Sequence, residues 1–153
     1  MIKGIQFYPN NGTYLATGRT IYAQYISDIP DLCRKYHLSS DLESSEIIAS
    51  IILPQLQKQN VLHKIVKNKE LLKKQFLGDQ AGKFITIYLD GSLDQVNAII
   101  IGLEKLLVDA SKKYKISPSP KVPRSRGHSH IFIEKPLDKL MFIYGGFKVD
   151  PRI

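Results

Sequence analysis

The 153-residue chain has a single cysteine, no tryptophan and fewer acidic than basic residues. Cys33 has no partner for a disulfide within the chain, so the sequence is compatible with a reducing compartment. No apolar run reaches the roughly 18 residues that a membrane-spanning helix needs, and Met1–Gln6 lacks the apolar segment of a secretory signal. We therefore expect no membrane partner and a cytoplasmic location.

The shortage of acidic residues makes the protein strongly basic. There are 14 Asp and Glu against 22 Lys and Arg, which gives a net charge of +8 and a pI of about 9.5. Such a charge attracts anions, whether nucleic acid, phosphorylated peptide, acidic lipid or acidic protein. The basic loop Ser117–Gly127 contains no aromatic side chain on which bases could stack, so nucleic acid is not the expected partner.

The hydrophobic fraction of 43% is enough for one core, and no internal repeat divides the chain. We therefore predict a single domain over residues 1–153, with a β-hairpin within residues 1–30 whose turn is Pro9–Gly12. Alternating and β-branched stretches predict strands, and helical periodicity with N-cap residues predicts helices. The strands are Lys35–Ser39, Val61–Val66, Phe84–Leu89, His130–Ile133 and Leu140–Tyr144, and the helices begin near Ser44, Lys67 and Ser92.

The order of these elements predicts an α+β fold, with a mainly antiparallel or mixed sheet and helices packed on one face. Pro54 lies inside the first helical pattern and should kink or break that helix. Ser92 and Gln95 have the spacing of a capping box at the start of the longest helix.

Two strands carry side chains that could perform acid–base chemistry. Because successive side chains of a strand alternate between its faces, Lys35 and His37 share one face. Lys64 lies between apolar residues on its own face, while His63 points the other way. A lysine held among apolar neighbours gives up its proton more readily and can act as a general base. The same patterns suit an edge-strand lysine that prevents aggregation and a half-buried structural histidine, so both interpretations stay open.

Further basic residues have the character of phosphate ligands. Lys83 enters the third strand directly after a glycine, which allows a close approach of the backbone to an anion. Arg124 and Arg126 lie in a proline-stiffened loop suited to bidentate phosphate contacts, although a solvated basic loop has the same composition. His128 and His130 have the spacing of a metal-binding pair, but no third ligand lies at a suitable spacing, so we expect no metal.

Several segments, taken in order, resemble the N-terminal lyase domain of class III lanthipeptide synthetases. They are Lys35–Ser40, Leu53–Leu56, Val61–Val66, Gly82–Tyr88 and the closing Tyr144–Phe147. The segment Gly82–Tyr88 is the most specific match, and the similarity covers residues 35–147. That domain is related to the phosphothreonine lyase effectors of pathogenic bacteria.

The resemblance implies β-elimination of phosphate from phosphoserine or phosphothreonine, without a metal or another cofactor. It implies that His37 protonates the departing phosphate and that Lys64 removes the α-proton. Phosphate would be bound by Lys83, Arg124 and Arg126, and the rest of the substrate by Lys35 and Tyr144. The substrate would be a phosphorylated peptide or protein supplied by a separate kinase, and the protein would be secreted into a host cell if it is an effector.

One departure from the family pattern keeps other function classes open. The family has an arginine immediately before the closing Tyr-Gly, and this position is Ile143 here. Loss of a phosphate ligand favours a non-catalytic module that binds phosphoproteins. A third class, the two-histidine phosphoesterases, is suggested by His37–Ser39, whereas the second copy at His128–His130 lacks the Ser or Thr that the signature requires.

Overall fold

A computed structural model describes residues 6–16, 18–25, 32–78, 80–117 and 143–149. In these residues six strands alternate with three helices: β1 (Tyr14–Ala16), β2 (Tyr22–Tyr25), β3 (Leu32–Leu38), α1 (Ser45–Lys58), β4 (Leu62–Val66), α2 (Lys69–Gln75), β5 (Ile85–Leu89), α3 (Leu93–Ser111) and β6 (Ile143–Val149). No helix in this part of the chain is long and apolar enough to cross a membrane.

The strands form one antiparallel sheet in the order β1-β2-β4-β5-β3-β6. This confirms the predicted α+β fold with an antiparallel sheet. Strand β6, Ile143–Val149, overlaps the end of the strand predicted at Leu140–Tyr144 and extends beyond it. The strand predicted at His130–Ile133 lies outside the described residues. The topology brings β3, with Lys35 and His37, and β4, with Lys64, to the middle of the sheet on either side of β5.

The core lies between one face of the sheet and the helices α1 and α3. On that face Ile65, Ile85 and Leu38 occur side by side on three neighbouring strands, and none of them is exposed to solvent. Buried residues of the two helices belong to the same cluster, among them Ile48, Ile52, Leu56, Leu103 and Leu107. Each such side chain contributes about 1.5–3 kcal/mol of stability on burial. This face therefore carries most of the core, and Lys64 and His37 lie on the opposite face.

The prediction at Pro54 was a kink or a break, and helix α1 continues through this residue without a break. A proline within a helix cannot donate the bond to the carbonyl four residues earlier, which here belongs to Ser50. Both residues are exposed, so solvent can satisfy that carbonyl without interrupting the helix. The predicted start of α3 is confirmed, because the Gln95 amide donates to Ser92 Oγ over 3.2 Å and the Ser92 amide donates to Gln95 Oε1 over 3.0 Å.

The first hairpin joins β1 to β2, and not the two stretches that flank Pro9–Gly12. Gln6 instead bridges Asn68, and the Phe7 amide donates to the Lys67 carbonyl over 3.1 Å. The predicted turn residues are present, but the pairing is decided by contacts with a segment some sixty positions further along the chain, which local turn signals do not report. Strand β2 also pairs with β4, so the hairpin is part of the main sheet.

A chain of buried hydrogen bonds surrounds His63 on the core face. Its Nδ1–H donates to the Val61 carbonyl over 2.8 Å, so Nε2 accepts the hydrogen bond from the Tyr14 hydroxyl over 2.6 Å. The Tyr14 oxygen in turn accepts from Gln57 Nε2 over 3.0 Å, and the Tyr25 ring stacks on the imidazole. Burial lowers the pKa of His63 to about 4 and raises the pKa of Tyr14 to about 12. His63 is thus a neutral structural residue, and it lies on the face opposite Lys64, as the alternation predicted.

We expect the protein to lose stability as the pH falls from about 6.5 to about 4. In the unfolded chain His63 has its ordinary pKa of 6.5, so in this window the unfolded state binds a proton that the folded state does not bind. Protonation of His63 in the unfolded chain should lower the free energy of unfolding by up to about 3 kcal/mol across this pH window. Above the window His63 should have no effect on stability. Urea denaturation at a series of pH values measures the slope of the free energy of unfolding against pH.

The variant His63→Gln should remove this part of the slope, because glutamine can accept from Tyr14 and does not titrate. Tyr14→Phe is the matched control, since it disrupts the same chain of hydrogen bonds but keeps the buried imidazole. An unchanged slope in His63→Gln would assign the acid sensitivity to other groups.

Candidate functional site

The sheet face opposite α1 and α3, called the site face here, carries a row of polar side chains across four strands. The register aligns Gln24 of β2 with Lys64 of β4, Lys64 with Thr86 of β5, and Thr86 with His37 of β3. Beyond His37, β6 contributes Tyr144 at the same register position. Two residues predicted to carry chemistry, His37 and Lys64, therefore occupy the same row on the same face.

Thr86 separates the two predicted catalytic residues. Strand β5 lies between the strands of Lys64 and His37, so their Cα atoms are about 10 Å apart. His37 Nδ1 lies 3.1 Å from Thr86 Oγ1, which is hydrogen-bonding distance and fixes the orientation of the imidazole. Thr86 itself is buried, with 1% of its surface exposed to solvent.

The Lys64 amine lies against an aromatic ring. Its Nζ is 4.4 Å from the centroid of the Tyr22 ring on β2, within the range of a cation–π interaction. On the strand itself Lys64 is flanked by Leu62 and Val66, which are both buried, and it is only partly exposed. The amine is therefore partly withdrawn from bulk water, as the apolar flanks predicted.

A second row runs beside the first on the site face. It consists of Leu62, Tyr88 and Lys35, with Gly146 of β6 at the end. Lys35 Nζ lies 5.5 Å from the centroid of the Tyr88 ring, and Tyr88 packs with Leu62 in a small cluster apart from the main core. A further cation is thus two residues along the same strand from His37, as the alternation in β3 predicted.

Lys83 lies away from these rows, at the entry to β5. It is three residues before Thr86, its amide donates to the Gln80 carbonyl, and its own carbonyl accepts from Gln75 Nε2 over 3.0 Å. Its side chain is partly exposed. Arg124 and Arg126 lie outside the described residues, as do His128 and His130.

The electrostatic character of the site face is uniform. On the described strands the register assigns to it lysine, histidine, tyrosine, glutamine, threonine and apolar residues, and no aspartate or glutamate. The described residues also contain no group of three His, Cys, Asp or Glu side chains that could hold a metal ion. A face with cations and without carboxylates favours a polyanionic ligand such as phosphate.

A separate hollow of about 450 Å³ lies beside α2 and is unsuited to an anion. Its lining includes Asp41 and Glu43 together with Lys69. Lys69 already forms an ion pair with Glu46 at 3.6 Å, so the carboxylates dominate this hollow. We therefore assign the candidate site to the site face.

Three residues of the site were missed by sequence reasoning. Thr86 and Tyr88 belong to a strand that was predicted correctly, and their shared face could have been read from the alternation. Tyr22 could not have been found, because its contact with Lys64 depends on the pairing of β2 with β4.

Comparisons with known proteins give a match in structure alone. No family model matches the chain, and a search of curated proteins finds no match. Among solved structures the chain is similar to the type III effector/phosphothreonine lyase OspF from Shigella flexneri, with a TM-score of 0.63 and 17% sequence identity, over 87% of this chain and 68% of that chain. At this identity the likeness shows a shared fold, and the predicted roles of individual residues stay predictions.

Proposed function

We propose that this protein is a phosphoserine/phosphothreonine lyase that eliminates phosphate from a phosphorylated peptide or protein. The observation that carries the proposal is the row of Lys64, Thr86 and His37, on a face whose described strands carry no aspartate or glutamate, in a fold similar to that of a phosphothreonine lyase. A base and an acid on the same face of the sheet are what β-elimination needs. The pair stands on regular strands, which hold such groups more accurately than loops do.

Substrate binding rests on charge. The phosphate dianion would lie between Lys35 and His37. Phosphate binding by Lys83, at the entry to β5, and by Arg124 and Arg126, outside the described residues, stays a prediction. Cations that hold the phosphate also stabilise it as it leaves. Tyr144, at the register position of His37, would contact the peptide.

The reaction removes a proton and a phosphate from adjacent carbons. The neutral Lys64 amine takes the α-proton, and the C–H electron pair becomes the second bond between Cα and Cβ. The Cβ–O bond breaks, its electron pair leaves with the phosphate, and the His37 imidazolium donates a proton to that leaving oxygen. The products are dehydroalanine or dehydrobutyrine and inorganic phosphate, and no water is consumed.

The phosphorylated substrate would come from a kinase. Two settings fit this chemistry, namely maturation of a peptide that such a kinase has phosphorylated and action as an effector on a signalling protein of another cell. Both settings require the same elimination, so the reaction is tested first.

Incubation with a phosphothreonine peptide should yield a dehydrated peptide in the mass spectrum together with free phosphate. The dehydrated residue should then add an external thiol, which an ordinary threonine does not. The reaction should proceed in the presence of EDTA, since no step uses a metal. Release of phosphate with return of threonine, labelled by ¹⁸O-water in either product, would instead identify a hydrolase and so favour a phosphoesterase.

Ile143 favours a second candidate, a module that binds phosphoproteins without turnover. Its register partner is Leu38, at the end of β3 next to His37, where the family pattern has an arginine. Binding of the phosphopeptide by calorimetry, with no phosphate released over hours, would support this candidate against the lyase.

A further inference from the structure

Tyr22 connects the Lys64 amine to the chain segment that carries Lys83. On the site face its ring lies beneath the Lys64 amine, at 4.4 Å from Nζ to the ring centroid. Its hydroxyl accepts a hydrogen bond from Gln75 Nε2 over 3.0 Å and donates one to Gln80 Oε1 over 3.2 Å. The Tyr22 hydroxyl is therefore held by two hydrogen bonds, which leave the ring little freedom to move.

Gln75 extends this connection to the entry of β5. It is 4% exposed, at the end of α2, and the same Nε2 that donates to Tyr22 also donates to the Lys83 carbonyl over 3.0 Å. One buried amide thus joins the ring under the proposed base to the backbone of the proposed phosphate ligand. Burial also raises the pKa of Tyr22, so its hydroxyl stays protonated and both hydrogen bonds persist through neutral pH.

Building on the proposed function, we propose that Tyr22 is a positioning residue for Lys64. Its ring sets the location and the proton affinity of the amine, and its hydroxyl, through Gln75, fixes the spacing between Lys64 and the Lys83 segment. The electron-rich ring face stabilises the charged amine, so it raises the pH at which Lys64 becomes a base. The other titratable groups that the register assigns to the site face of the described strands are Tyr88 of β5, Cys33, Lys35 and His37 of β3, and Tyr144 and Lys148 of β6.

The proton affinity of Lys64 can be measured without any catalysis. Acetic anhydride labels only neutral amines, and mass spectrometry of the digested protein gives the extent of labelling of Lys64 as a function of pH. Removal of the ring in Tyr22→Leu should lower the midpoint of this curve by about half a pH unit. Tyr22→Phe keeps the ring and should leave the midpoint unchanged.

Tyr25→Leu is the matched control, because it makes the same substitution on the same strand but on the core face. A midpoint that moves equally in Tyr22→Leu and Tyr25→Leu would mean general loosening of β2 and would overturn the proposal, as would no change in Tyr22→Leu. If Tyr22→Leu does not fold, pentafluorophenylalanine at position 22 keeps the ring shape and removes its attraction for cations. The same half-unit shift is expected from it, and its absence would overturn the proposal.

Kinetics test the second half of the proposal. Tyr22→Phe loses the hydrogen bonds to Gln75 and Gln80, so KM for a phosphothreonine peptide should rise about 3- to 10-fold while kcat changes less than about 2-fold. An unchanged KM would overturn the link to Lys83. If the wild-type protein releases no phosphate, the proposed function fails, and the labelling curves still decide whether Tyr22 controls Lys64.

Discussion

Lys64→Arg is expected to abolish elimination while phosphopeptide binding survives. Arginine keeps the positive charge on the site face, but its guanidinium does not lose a proton at accessible pH and so cannot act as a base. We expect kcat to fall by roughly 10³-fold or more, with the dissociation constant for a phosphothreonine peptide changed less than about 5-fold. Single-turnover phosphate release and calorimetric titration measure the two quantities.

Two further variants make this result specific. Lys64→Met should lose turnover in the same way but also weaken binding, because the cation itself is gone. Lys73→Met removes an equal charge from the exposed side of α2 and should retain turnover, which controls for the change in net charge. Turnover in Lys64→Arg within about tenfold of the wild type would eliminate Lys64 as the base.

His37→Asn is expected to slow the reaction by about 10²-fold, for a reason that depends on the leaving group. Asparagine can still accept or donate a hydrogen bond at Thr86 but cannot deliver a proton. A phosphate that departs unprotonated is a poor leaving group, so breaking the Cβ–O bond becomes harder. The rate constant for phosphate release from saturating peptide measures the loss.

A sulfate ester of the same peptide separates acid catalysis from binding. Sulfate is a much weaker base than phosphate and leaves without a proton, so His37→Asn should slow its elimination far less than it slows the phosphopeptide. Equal losses with both esters would show that His37 only binds or orients the substrate.

Local parts of the fold could be predicted from the sequence, because they depend on near neighbours in the chain. The alternation around Lys64 and in Lys35–His37 assigned the correct faces, and the Ser92–Gln95 capping box marked the start of α3. Such features arise from strand geometry and from hydrogen bonds within one helical turn. Helix α1 does not break at Pro54, because the cost of a proline depends on exposure, which the local sequence does not specify.

The arrangement of the candidate site could not be predicted to the same extent. That β5 lies between the strands of His37 and Lys64, and that β2 brings Tyr22 under the lysine, follows from pairings between distant segments. Thr86 was overlooked as a partner of His37 for the same reason, although its strand was recognised. Strand order is decided by the packing of the whole sheet, and a single sequence carries only an indirect record of it.

The place of β6 in the sheet has a consequence for how the protein is made. Strand β3 pairs on one side with β5 and on the other with β6, whose residues are translated more than a hundred positions later. During synthesis the His37 strand thus has an open edge until β6 emerges from the ribosome. Pairings between segments so far apart in the sequence form slowly. The part of the proposed site that contains His37, the general acid, should therefore form last. A nascent chain could then fold its helices and central strands well before it gains any ability to act on a phosphorylated partner.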